Sequence, residues 1–86
     1  MTYKLYSLDN IFITEVPFVP YNFTGIAKYP NGIIYYSNGG EHRLDGPAVE
    51  YTGKYKDWYI NNKQIICNTN EEFKLLIDLM KLKGLL

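Results

Sequence analysis

Residue types that small functional domains commonly rely on are scarce in this chain. Its 86 residues include one cysteine, one histidine, one arginine and two serines. A lone cysteine, Cys67, forms no internal disulfide, whereas short secreted domains usually carry several bridges. Cys67 reads instead as a small buried apolar residue. One histidine and one cysteine fall short of the three or four ligands of a His/Cys metal site. Ser7 and Ser37 stand in no nucleophile motif, and neither GxGxxG nor a Walker loop occurs. Net charge is also missing: nine Lys+Arg balance nine Asp+Glu, with a pI near 6.5. That removes the basic footprint of a nucleic-acid binder and the basic amphipathic segment of a membrane-surface protein. No apolar run approaches the ~18 residues of a membrane span. Met1-Thr2-Tyr3-Lys4-Leu5 lacks the apolar core of a leader. The expected location is the cytoplasm, where the sequon Asn22-Phe23-Thr24 has no use.

Apolar residues make up 47% of the chain, enough for one core and against disorder. One domain of this length buries roughly 60–65% of its unfolded surface, so its stability is marginal. Eight Lys to one Arg, with many Asn, Ile and Tyr, matches AT-rich codons and a low-GC bacterial or phage genome.

An internal repeat organises the middle of the chain. Gly25-x-Ala27 matches Gly46-x-Ala48, and Tyr35-Tyr36-x-Asn38 matches Trp58-Tyr59-x-Asn61. Each unit predicts strand, turn, strand, turn over 24–66. Asn31-Gly32 and Asn38-Gly39 are favoured hairpin dipeptides because both residue types tolerate positive φ, and Asn61-Asn62 is a weaker version. Thr52-Gly53-Lys54 marks the turn inside the second unit. An N-terminal hairpin over 1–16 is expected to turn at Asp9-Asn10. Pro17 and Pro20 then stop pairing, so 17–22 reads as irregular loop.

The chain closes with a helix over 70–83. Thr69 and Glu72 form a capping box. Glu71 and Glu72 complement the helix dipole at its start, Lys81 and Lys83 at its end, and Gly84 suits the C′ position. Phe73, Leu76, Ile77 and Met80 make one apolar stripe, and Leu75, Leu79 and Leu82 extend it to an arc of about 220°, against the ~100° that docking on one sheet requires. Two readings follow. The helix is wedged between the sheet and the N-terminal strands, or Leu75, Leu79 and Leu82 pack on a second copy as a homodimer. The fold class expected is mainly β (α+β): one antiparallel meander of six to seven short strands with a C-terminal helix.

Chemistry has few candidates. His42 and Asp45, three apart in His42-Arg43-Leu44-Asp45-Gly46-Pro47-Ala48, could form a general-base pair. A structural reading competes: Asp45 accepting backbone hydrogen bonds, Gly46 taking an unusual φ, Pro47 setting the next strand, and Arg43 reaching a carboxylate in a neighbouring hairpin. No second carboxylate is spaced to work with Asp57. Aromatics are the remaining asset, at 16% of the chain. Tyr35 and Tyr36 point to opposite faces of a strand, as do Trp58 and Tyr59. A helix on one face leaves a tyrosine-rich second face, a composition favoured at protein interfaces. Stacking of single-stranded nucleic acid is the weaker alternative, since the charge is zero.

The stretch from His42 to Gln64 resembles a repeat of phage and prophage proteins. Its marks are the His-Arg-x-Asp-Gly-Pro-Ala run, here His42 to Ala48, and a Trp-Tyr-x-Asn-Gly-Lys run, here Trp58-Tyr59-Ile60-Asn61-Asn62-Lys63 with Asn62 in place of Gly. The preceding unit keeps only Gly25 and Ala27. The hairpin array is similar to MORN-type repeats. The resemblance implies a non-enzymatic scaffold without cofactor or metal. By analogy with small phage inhibitors such as anti-CRISPR proteins, an analogy that rests on size and source, it is expected to bind a host protein or complex and to block a defence complex. A structural or assembly component of a phage particle is the alternative. Tyr36, His42, Arg43, Asp57, Trp58 and Tyr59 are the residues expected at the partner surface, and Leu75, Leu79 and Leu82 at the self-association surface.

Overall fold

The computed structural model describes residues 2–53 and 55–86. Met1, heading the expected N-terminal hairpin, and Lys54, in the turn of the second unit, lie outside the described residues. In chain order the elements are β1 (Tyr3–Tyr6), β2 (Phe12–Val16), β3 (Gly25–Tyr29), β4 (Gly32–Ser37), β5 (Gly40–Glu41), β6 (Val49–Tyr51), β7 (Tyr55–Ile60), β8 (Lys63–Ile65) and α1 (Asn70–Leu82). All strand pairs are antiparallel, in the order β2-β1-β3-β4-β6-β7-β8, with β5 beside β4. The protein is mainly β with one C-terminal helix. The meander runs from β3 onward, while the first hairpin joins reversed, with β1 inside and β2 at the edge. Residues 17–24 make that crossing, and Pro17 and Pro20, lacking N–H groups, keep them out of the ladder.

The turns follow local chemistry, with one exception. Asn38 and Gly39 lie at φ 51° and 84°, and Asn61 and Asn62 at 49° and 66°, the paired left-handed residues of type I′ hairpins. At the β3–β4 hairpin Tyr29 pairs with Gly32, so the turn is Pro30-Asn31 rather than Asn31-Gly32. Gly32 belongs to the strand and serves for space. A Cβ there would lie 2.8 Å from the Glu50 carbonyl oxygen and 2.9 Å from Tyr51 Cδ1.

β5 and β6 are two pieces of one strand position. β4 pairs with β6 through Gly32–Ile34 and with β5 through Tyr36 and Ser37. Tyr35 sits between them, its N–H donating to Ala48 O (2.7 Å) while its carbonyl accepts from His42 N (3.0 Å). Residues 42–47 are an excursion out of the sheet. Arg43 holds it closed: Nε donates to Asp45 (2.9 Å), Nη1 donates to Pro47 O (3.2 Å), and the guanidinium lies 4.1 Å from the Tyr35 ring centre. Arg43 thus pairs within its own loop, not with a neighbouring hairpin, because stacking on Tyr35 aims its fork there. Gly46 is needed for room, since a Cβ would sit 3.0 Å from Arg43 Cζ, and it adopts no left-handed φ.

Thr69 Oγ1 accepts from Glu72 N (3.2 Å) and starts the helix. Gly84, at φ 70°, ends it: Gly84 N donates to Lys81 O and Leu85 N to Met80 O, a Schellman closure. Phe73 and Ile77 are buried against Trp58 and Ile60, with Ile65, Cys67 and Met80 around them. Trp58 Nε1 donates to Asn70 Oδ1 (2.9 Å) at the helix start. The helix therefore docks at the β7–β8 end, and the wedge against the N-terminal strands does not form, because β1 and β2 occupy the opposite edge. Leu75, Leu79 and Leu82 stay 66%, 52% and 84% exposed.

Candidate binding surface

Strand register divides the side chains into two faces. Ile26, Tyr35, Trp58, Ile60 and Ile65 share the face that carries the helix. Tyr3, Tyr29, Tyr36, Tyr51, Tyr55 and Tyr59 share the other. This sorting follows from the two-residue period of a strand.

On the helix-free face, one aromatic row crosses the sheet. Ring centres are 5.4 Å apart for Tyr3–Tyr29, 6.1 Å for Tyr29–Tyr51 and 5.4 Å for Tyr51–Tyr55. Gly32 occupies the row's place in β4, and its missing side chain lets Tyr29 and Tyr51 meet across that strand. The Tyr29 hydroxyl is held well above its ordinary pKa by burial, then by its hydrogen bond with Tyr51. A second group lies further along the strands: Phe23 packs edge-on against Tyr36 at 6.2 Å, over Gly25, where a Cβ would meet the Phe23 ring at 2.6 Å. Between the two lie Leu5, Ala27, Ile34 and Val49. Burial raises the pKa of Tyr36, and so do Glu41, Tyr3 and Tyr51.

Acids accompany the tyrosines. Glu41 pairs with Tyr36 in register, and Asp57 with Val49. Burial, Asp57 and Glu41 raise the Tyr59 pKa, in that order. Gln64 donates to Asp57 (3.2 Å). Among the described residues neither carboxylate has a cation within ion-pair distance; Arg43–Asp45 is the pair formed.

The opposite face carries the bases, namely Lys4, Lys28, Lys56 and Lys63, with Glu15 and Glu50 interleaved. An open groove of about 720 Å³ lies between the 42–45 excursion and the β1–β2 turn, floored by Ile26, Lys28, Ile33 and Tyr35. Lys28 donates to Asn10 Oδ1 (3.0 Å) and lies 4.2 Å from the Tyr6 ring centre.

The six residues expected at one partner surface are split between these faces. Tyr36, Asp57 and Tyr59 lie together on the tyrosine face. Trp58 is 5% exposed and belongs to the core under the helix, because adjacent strand residues point apart. His42 and Arg43 line the groove on the helix side. His42 Nδ1 accepts from Asn61 N (2.9 Å), and the Asp45 carboxylate is taken by Arg43; each makes a structural contact with a partner other than the other. Cys67 is half-buried, and burial, then Glu72, raises its thiol pKa. Among the described residues no group of three or more His, Cys, Asp or Glu is placed to hold a metal, and no helix is long and apolar enough to cross a membrane. Sequence reasoning overlooked Tyr3, Tyr29, Tyr51, Tyr55 and Glu41. Their signal was alternation in Tyr51-x-x-x-Tyr55-x-x-x-Tyr59, which becomes a face only when the turn between β6 and β7 is known. No protein-family model, curated protein or solved structure matches the chain.

Proposed function

We propose that this protein is a non-enzymatic binding module, encoded by a phage or prophage, that acts by occupying a host protein such as a CRISPR-Cas or other defence complex. The tyrosine face carries this reading. It gathers large, rigid rings with hydroxyl handles on the face opposite the helix, the composition that dominates protein interfaces. The host and inhibitor parts rest on the resemblance of His42 to Gln64 and on codon-biased composition. Immobilised protein should recover a stoichiometric partner from lysate of its bacterial host, and Tyr36→Ala with Tyr59→Ala should abolish the capture. Recovery of nothing stoichiometric overturns the proposal.

Self-association through the helix is a second reading, and it suits an assembly component as well as an inhibitor. Leu75, Leu79 and Leu82 follow 4-3 spacing and remain exposed. Glu71 and Glu72 flank the start of this stripe and Lys83 its end, so an antiparallel pair sets each acid beside the partner's lysine. Sedimentation at rising concentration should show a dimer that Leu79→Glu dissolves. A monomer at every concentration overturns it.

A further inference from the structure

The two faces differ in charge as well as shape, and the tyrosine face has an unmet preference. Its strands contribute six tyrosines, Glu41 and Asp57, and no lysine or arginine among the described residues; the strand lysines all point to the other side. Aromatic rings attract cations through the negative face of their π-systems. Carboxylates beside such rings add Coulombic attraction, and half-buried ones exert it through a medium of lower dielectric than water. Glu41 and Asp57 are both half-buried. Asp57 has only a neutral amide for a partner. Among the described residues no cation lies within ion-pair distance of either.

We propose that the tyrosine face binds an arginine- and lysine-rich segment of its protein partner, with guanidinium or ammonium groups lying on the rings of Tyr36, Tyr51, Tyr55 and Tyr59 and their charge balanced by Glu41 and Asp57. This rests on the reading of that face as the binding surface and names the chemistry it selects. The protein is neutral overall, so attraction of a basic segment comes from the local arrangement and not from net charge. In the Tyr3–Tyr29–Tyr51–Tyr55 row the rings meet edge-on or tilted, and the planar guanidinium of arginine can stack on an individual ring face. An acidic segment or a nucleic acid meets repulsion here.

The test uses the full chain with octa-arginine as probe and octaglutamate as control, followed by calorimetry and by backbone amide shifts at low salt. Octa-arginine should bind and move the amides of Tyr36, Glu41, Tyr51, Asp57 and Tyr59, while octaglutamate does not bind there. Glu41→Gln with Asp57→Asn, both nearly isosteric, should weaken binding about tenfold or more, as loss of two charge contacts implies. Glu15→Gln with Glu50→Gln, on the opposite face, should change it less than about twofold. Shifts confined to the other face or to the helix acids, or equal losses in the two double variants, overturn the proposal. Capture of the lysate partner separates the two readings. If capture needs Tyr36 and Tyr59 but ignores Glu41→Gln with Asp57→Asn, the cation assignment fails and the binding face stands. If capture survives loss of the tyrosines, the binding face itself is wrong.

Discussion

On one face of the sheet Trp58 and Ile60 are sealed by a separate element, the helix, through Phe73 and Ile77. On the other, Leu5, Ala27 and Val49 are just as inaccessible, at 3%, 0% and 5% exposure, although the helix lies on the opposite face. The tyrosines flank them on that face, and Phe23 of the 17–24 crossing packs there against Tyr36. The helix side builds a dry core from aliphatic and aromatic side chains. The tyrosine side buries its inner carbons while its rings and hydroxyls still meet water. A chain of this size has too little material for two helical lids, and a face without the helix leaves a surface free to work.

The largest expected effect tests the helix side. Phe73 is the largest fully buried side chain, and Phe73→Ala should cost about 3–5 kcal/mol. In a marginal domain that is most of the stability, so Trp58 fluorescence in urea should show an unfolded or barely folded chain. A loss under about 1 kcal/mol would mean the helix is not the lid.

Gly32→Ala probes the other face. The added carbon would crowd Glu50 O and Tyr51 Cδ1, and overpacking of this kind costs about 1–3 kcal/mol. It should also separate Tyr29 from Tyr51, visible as a change in near-ultraviolet dichroism. If the substitution is silent, the row does not depend on that gap.

Alkaline titration sharpens the contrast. Tyr29, Tyr36 and Tyr59 all have folded pKa values raised by burial first, above the unfolded value of about 10. Between unfolded and folded values the native state binds more protons, so stability is full below about pH 10 and is lost as pH rises through the folded values. Tyrosinate absorbance should lag in the native protein and rise with unfolding. The smaller Thr69→Ala should cost about 1 kcal/mol by removing the helix cap, measured in the same urea assay, and leave the tyrosine signal untouched. Leu79→Glu should change monomer stability by less than about 0.5 kcal/mol while altering only association.

Much of the architecture was legible in the chain. The capping residue Thr69, the closing Gly84, the Asn-rich turns and the strand composition are local signals, and the structure uses each of them. The departures have a common cause. Gly32 and Gly46 read as turn residues, but their use is steric, set by Tyr51 and by Arg43, which come from other segments. The Gly-x-Ala match between repeats is displaced by one residue. Ile26 and Ala48 both lie beside Tyr35, so Ala48 fills the place of Ile26 rather than Ala27. Similarity along the chain carries no register, and a slip of one residue exchanges the faces.

Sequence alone determined which segments extend, the turns at Asn38-Gly39 and Asn61-Asn62, and that one amphipathic helix follows the strands, because these depend on backbone preferences and on patterns within a few residues. Only the tertiary structure decided which face the helix takes, that β5 and β6 share one strand position around the Arg43 loop, and that Trp58 is core while Tyr59 is surface. Those outcomes depend on pairing between distant strands. The same pairing gathers the tyrosines with Glu41 and Asp57 on one side and the strand lysines on the other.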